Sequence, residues 1–275
     1  MPIFTADDGA RIHYEEQGSG RPVLLIHGWD ANHRFFHKQV PALAERYRVV
    51  TFDLRGHGES ERGEKTEQGL TIQRCAQDVA GLIDALGLRD VTLVGWSMGS
   101  TIMLDYVRQR GCANLAGLCV LDMTPRLIAA PDWALGAGPA YDHEANFWFL
   151  ASIARDWPAV MEKFIPLMFS KSRPPRDEDL AWIKNQVLDN TPHCMLNLWI
   201  SMAAADHRDM LSSISVPTLL TFGGDGYFYG QKHGEYLKDH IADAELVMFP
   251  DCGHVLHLQD PDRFNRALLA FLDRL

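Results

Sequence analysis

Ser97 stands in the run Gly95-Trp96-Ser97-Met98-Gly99. The β-branched, apolar run Val91-Thr92-Leu93-Val94 precedes it and reads as a buried strand. Ser100 to Arg108 follows it and reads as a helix. A serine flanked by glycines at such a strand-to-helix turn is a nucleophile elbow. The turn strains the serine backbone, and the glycines leave room for the chain to pass close by. The hydroxyl is then held at the tip of a sheet, over a helix N-terminus whose N–H groups favour negative charge. A serine hydroxyl is a weak nucleophile unless a base stands within hydrogen-bond reach. The chemistry implied is therefore attack on a carbonyl, with partners that other parts of the chain must bring in.

Strands and helices alternate along the first half of the chain and set those partners in place. Asp8-Gly9 is a turn ahead of the alternating run Arg11 to Glu15. Val23 to Ile26 is a continuous apolar strand of the kind found inside a parallel sheet. The spacing then predicts a helix over 35–46, a strand over 49–52, a helix over 71–86 ended by Gly87, and, beyond the elbow, a strand over 118–121. Near Thr124-Pro125 the alternation stops. Residues 126–213 read as helical and rich in Trp, Phe and Met. Strands over 217–222 and 246–249 and a helix over 262–275 close the chain. Alternating strands and helices imply an α/β fold with right-handed crossovers and a mostly parallel sheet.

Composition narrows the classes of function. The formal net charge of the 275 residues is -10 and no basic stripe offsets it, so a nucleic-acid partner is not expected. The five cysteines are odd in number and scattered, and no C-x-x-C occurs. A disulfide framework or zinc site is not expected, and a reducing compartment fits best. The N-terminus has neither the basic nor the apolar region of a signal peptide. No apolar run is long enough to span a bilayer. The cytoplasm is the expected location, and the sequence sets no oligomeric state.

Four landmarks occur in order. They are His27-Gly28-Trp29 after the third strand, Asp53-Leu54-Arg55-Gly56-His57-Gly58-Glu59-Ser60 after the fourth, the elbow after the fifth, and Gly253-His254 near the end. In these the chain resembles the α/β-hydrolase superfamily over nearly its full length. The resemblance implies an eight-stranded, mostly parallel sheet flanked by helices. Residues 1–125 and 214–275 would form the core, and 126–213 a helical cap inserted within the single domain. It implies Ser97 as nucleophile and His254 as its base. The backbone N–H groups of Trp29 and Met98 would bind the oxyanion. Asp53 to Gly58 would be a structural turn beside the oxyanion loop.

The acid that orients His254 stays open between two residues. Many members of the superfamily carry it after the seventh strand as G-x-x-D. Here that stretch is Gly223-Gly224-Asp225-Gly226, with Asp225 one residue early. Small esterases that resemble this chain instead place it after the sixth strand in D-[IM]-x-P, which matches Asp122-Met123-Thr124-Pro125. Asp122 is favoured and Asp225 is the alternative. His33, Trp148 and Tyr227 are candidates for the substrate pocket, with a solvated helix start as the plainer reading of His33. The aromatic insert suits an apolar acyl or aryl group.

The expected activity is hydrolysis of a small-molecule carboxylic ester or thioester through an acyl-enzyme, with no metal or organic cofactor. Two alternatives accompany it. One is a perhydrolase, or cofactor-free haloperoxidase, using the same triad. The other is a cofactor-independent dioxygenase of N-heteroaromatic rings, using the His–Asp pair as base.

Overall fold

The computed structural model describes residues 2–63, 69–138 and 141–275. Its strands are β1 (Ile3–Thr5), β2 (Arg11–Gln17), β3 (Pro22–Ile26), β4 (Arg48–Phe52), β5 (Val91–Trp96), β6 (Leu115–Leu121), β7 (Thr218–Gly223) and β8 (Ala244–Phe249). They form one eight-stranded sheet in the order β1-β2-β4-β3-β5-β6-β7-β8. β1 and β2 pair antiparallel, as do β2 and β4. The remaining neighbours are parallel. β5 and β7 are buried along their whole length, which is why they read as unbroken apolar runs.

The chain runs outward from β3 to β4, then crosses back past β3 from β4 to β5. The carboxyl ends of β3 and β5 therefore flank a topological switch point, the place where open α/β sheets bind ligands. Helices α1 (Val40–Ala44), α2 (Ile72–Ala85) and α3 (Met98–Arg110) lie between β3 and β6 in the chain. Thr71 caps α2 by accepting from the Arg74 N–H at 3.1 Å. α2 buries Ile72, Cys75, Ala76, Val79 and Ile83, the one-face spacing of an amphipathic helix. α3 is buried from Met98 to Val107 and turns no broad face to solvent.

Among the described residues four α-helices stand between β6 and β7: α4 (His143–Arg155), α5 (Trp157–Leu167), α6 (Asp177–Val187) and α7 (Pro192–Ala204). α4 packs on α7 and on α5, and α5 packs on α6. The chain closes with α8 (Gln231–His240), α9 (Leu256–Gln259) and α10 (Pro261–Leu272). Among the described residues no helix is long and apolar enough to cross a membrane.

The helix expected over 35–46 is split. A 3₁₀ turn covers His33–Phe36, and α1 begins only at Val40. The Asn32 side chain caps the turn by accepting from the Arg34 N–H at 3.0 Å, and Asp53 accepts from the His33 N–H at 2.7 Å. Pro41 then sits in the first turn of α1, where a missing N–H is tolerated but an upstream helix could not run through it.

The loop over 53–58 is anchored as a structural turn. Arg55 is fully buried and pairs with Asp78 at 2.5 Å and with Asp8 at 2.9 Å. Such a pair, desolvated on both sides, fixes a loop rather than presenting it to a ligand.

Candidate active site

The carboxyl ends of β3, β5, β6, β7 and the turn after β8 carry the residues singled out by the sequence. Ser97 follows β5 with φ 53° and ψ -123°, a conformation that costs a non-glycine residue about 1–3 kcal/mol. The surroundings enforce it. The Ser97 N–H donates to the Leu121 carbonyl at 3.0 Å, which locks the elbow to β6. A Cβ on Gly95 would come within 2.6 Å of the Gly99 carbonyl carbon, and one on Gly99 within 2.1 Å of the Ile26 oxygen. Both glycines are therefore required by close backbone approach. Ser97 is half-exposed while its neighbours from Val91 to Ser100 are buried, so the turn delivers one side chain to an opening.

His254 follows β8, and its Nδ1 lies 2.7 Å from Asp122 Oδ2. Asp122 extends β6 by one residue in the left-handed region, with φ 49°. Its other oxygen, Oδ1, accepts the Gly223 N–H at 3.0 Å. The carboxylate is thus held at both oxygens, one by β7 and one by the imidazole. Asp122 and His254 are both buried, which strengthens the pair electrostatically. The Trp96 indole N–H donates to the His254 carbonyl at 2.9 Å and fixes the histidine loop to the elbow.

Asp225 is elsewhere engaged. Its Oδ2 accepts from Ser170 Oγ at 2.6 Å, Ser172 Oγ at 2.6 Å and the Ser172 N–H at 2.7 Å. Those hydrogen bonds hold its carboxyl down at about 2. The Asp225 side chain ties the β7 loop to the chain after α5. Asp225 makes its contacts with this segment and not with His254.

Gly28 and Trp29 follow β3 and pass directly over the elbow. A Cβ on Gly28 would stand 3.1 Å from Ser97 Cβ. His27 secures this loop. Its Nε2 accepts the Leu54 N–H at 3.0 Å and its Nδ1 donates to the Gly28 carbonyl at 2.8 Å. Full burial pushes the His27 imidazole down to about 4, so the neutral tautomer that makes both bonds persists at neutral pH. Met98 opens α3 and its N–H precedes any intrahelical acceptor.

The next residue in the loop, Asp30, is fully buried with φ 60°, and neither carboxylate oxygen has a hydrogen-bond partner among the described residues. Burial pushes its carboxyl well above the usual carboxylate range. A raised folded value means the folded state holds the proton that the unfolded chain releases. Stability from this residue is therefore present at acid pH and lost as pH rises past the ordinary carboxylate value. Asp30→Asn keeps the shape and tolerates positive φ. It is expected to raise Tm at pH 8 by about 3 °C, a gain on the order of 1 kcal/mol, with the difference from wild type shrinking toward pH 4. Calorimetry across that range checks it; a Tm gain independent of pH would show that Asp30 titrates normally.

Ser97 and His254 line one cavity of about 240 Å³. Trp29, Phe149, Phe164, Trp199, Phe228 and Tyr229 supply its aromatic walls. Their polar atoms are already engaged. The Trp29 indole donates to the Met195 carbonyl at 2.8 Å, the Trp199 indole to Asn146 Oδ1 at 2.9 Å, and the Tyr229 hydroxyl to Met123 sulfur at 3.2 Å. Burial pushes the Tyr229 phenol well above its ordinary value. Among the described residues no lysine, arginine or carboxylate lines the cavity. What remains is an apolar chamber with the serine and the imidazole as its polar end.

Three pocket candidates lie outside this lining. Trp148 is 61% exposed and Tyr227 41% exposed. Each points away while its chain neighbour, Phe149 or Phe228, faces in. On α4 the inward set is Asn146, Phe149 and Ile153, at helical spacing, which leaves 147 and 148 on the outer face. Tyr227 instead lies under the Lys171 ammonium, 5.2 Å from the ring centre. His33 is buried, with Nδ1 2.8 Å from Asp53 Oδ1, and does not line the cavity. Sequence reasoning passed over Trp96 as the clamp on His254. Its burial within the elbow motif was the available signal, but its partner lies far along the chain.

Comparison with known proteins agrees with this architecture. A family model described as alpha/beta hydrolase fold matches residues 21–261. The chain is 30% identical over 291 aligned residues to non-heme chloroperoxidase CPO-A1 of Kitasatospora aureofaciens, covering 100% of both. It is 26% identical to a pimeloyl-[acyl-carrier protein] methyl ester esterase of Nitrosomonas europaea, covering 93% of this chain and 97% of that protein. The structure of an esterase (EaEST) from Exiguobacterium antarcticum superposes with a TM-score of 0.91 at 27% identity, covering 98% of each chain. The match runs from the start of the central strands to the last helix over a sheet of this order, and the chain belongs to the α/β-hydrolase fold family.

Proposed function

We propose that the protein is a serine hydrolase of carboxylic esters or thioesters whose acyl or aryl group is apolar and uncharged. The observation that carries this reading is the 2.7 Å Asp122–His254 contact behind an aromatic cavity that Ser97 also lines. In this reading the Ser97 hydroxyl attacks the ester carbonyl as His254 Nε2 takes its proton. Asp122 holds Nδ1–H and stabilises the imidazolium. The N–H groups of Trp29 and Met98 take up the oxyanion charge. His254 then protonates the leaving group, and water activated by the same imidazole cleaves the acyl-enzyme. The helices over 126–213 act as a cap, contributing Phe149, Phe164 and Trp199 to the acyl pocket and excluding water from it.

Among the described residues the pocket has no cation to pair with a carboxylate, so charge on the acyl group should be penalised. A p-nitrophenyl ester of a short neutral acid is expected to exceed the matching hemisuccinate by about tenfold or more in kcat/KM. Equal values would contradict the apolar pocket.

A second reading is favoured by the relative named as a chloroperoxidase. Hydrogen peroxide replaces water in the second step, so that the acyl-enzyme gives a peracid and free serine. Peracid formation assayed beside hydrolysis separates the two. Ester turnover in the absence of oxygen separates both from dioxygenation of a heteroaromatic ring.

A further inference from the structure

A second cluster of reactive side chains lies away from the cavity and shares no lining residue with it. His13 on β2, His33 in the 3₁₀ turn and Asp53 after β4 are all buried, and each offers a donor atom within 4.8 Å of the other two. Neither ring nitrogen of His13 makes a hydrogen bond among the described residues, although the side chain is 1% exposed. Its Nδ1 stands 3.4 Å from Asp53 Oδ2, and its Nε2 stands 4.0 Å from Glu59 Oε2. His33 Nε2 stands 3.5 Å from Glu15 Oε1. The ring centroids of His13 and His33 are 5.0 Å apart, with the ring planes tilted by 56°.

We propose that His13, His33 and Asp53 form a binding site for a divalent transition-metal ion, zinc above all, with Glu15 and Glu59 close enough to complete its coordination. A buried imidazole nitrogen without a hydrogen bond, as at His13 Nε2, costs stability unless something supplies a partner. Two imidazoles and a carboxylate are the donor set that zinc takes, at bonds of about 2.0–2.2 Å. Asp53 Oδ1 accepts from both the His33 N–H and the His33 ring, while Oδ2 accepts from the Glu59 N–H and keeps a lone pair that an ion could take. His13 and Glu15 are two apart on β2, so both side chains fall on one face of the strand. A cleft of about 100 Å³ bordered by His33, Asp53, Glu59 and Gln186 opens onto the His33–Asp53 side of the cluster. The bound ion would tie β2, the 3₁₀ turn and the loop after β4 together, immediately beyond the loop that carries Trp29.

The test uses the full chain, stripped with a chelator and titrated with zinc alone. Calorimetry is expected to give one ion per chain, and excess zinc is expected to raise Tm by about 5 °C. His13→Gln and His33→Gln are each expected to weaken binding by about tenfold or more. Crystals of wild type soaked in zinc keep the test valid if those variants fail to fold. An anomalous peak among His13, His33 and Asp53 is expected. No stoichiometric binding, or an anomalous peak only at His254 and Asp122, would overturn the proposal.

Discussion

Asp122→Asn is expected to lower kcat on a short p-nitrophenyl ester by about 10³–10⁴-fold without unfolding the protein. The reason lies in the two partners of the carboxylate. Gly223 N–H donates to Oδ1 and fixes that position as the amide oxygen of the new side chain. The amide nitrogen must then occupy the Oδ2 position, 2.7 Å from His254 Nδ1. A donor there forces the lone pair onto Nδ1 and the proton onto Nε2, so the imidazole can no longer take the proton of Ser97. Asp225→Asn should leave kcat within about threefold, because its carboxylate serves the Ser170–Ser172 segment instead. Steady-state kinetics on both variants checks this. Equal losses, or a larger loss for Asp225→Asn, would sink the assignment of the acid.

Ser97→Ala should abolish ester turnover, with a fall in kcat of about 10⁴–10⁶-fold. Alanine meets the same positive φ as serine and fills the same turn, so Tm should stay within about 2 °C of wild type. Hydrolysis that survives this change on the folded variant would mean that water attacks directly, with His254 as general base.

The elbow was legible in the sequence because its determinants are local. Gly95 and Gly99 are needed by contacts within the turn and with the neighbouring strand end, and the strand and helix on either side announce themselves by pattern. Asp122 was favoured over Asp225 through the resemblance of Asp122-Met123-Thr124-Pro125 to the D-[IM]-x-P of small esterases, not through local pattern. The aromatic walls were not legible. Whether Trp148 or Phe149 faces the cavity depends on the phase at which α4 docks on α5 and α7, and that is fixed by contacts such as Trp199 with Asn146, which lie 53 residues apart. The clamp of Trp96 on His254 spans 158 residues. The engagement of His33 by Asp53 spans 20. Local pattern therefore placed the nucleophile, while tertiary contacts chose the pocket that surrounds it.

The most direct measurement of the central claim is intact-mass analysis after exposure to a fluorophosphonate probe, with wild type beside Ser97→Ala and His254→Ala. The account predicts one covalent adduct per wild-type chain, mapped by peptide sequencing to Ser97. It predicts none on Ser97→Ala and slow labelling of His254→Ala, whose serine lacks its base. A folded wild type that remains unlabelled while still turning over esters, or an adduct that persists on Ser97→Ala, would contradict it.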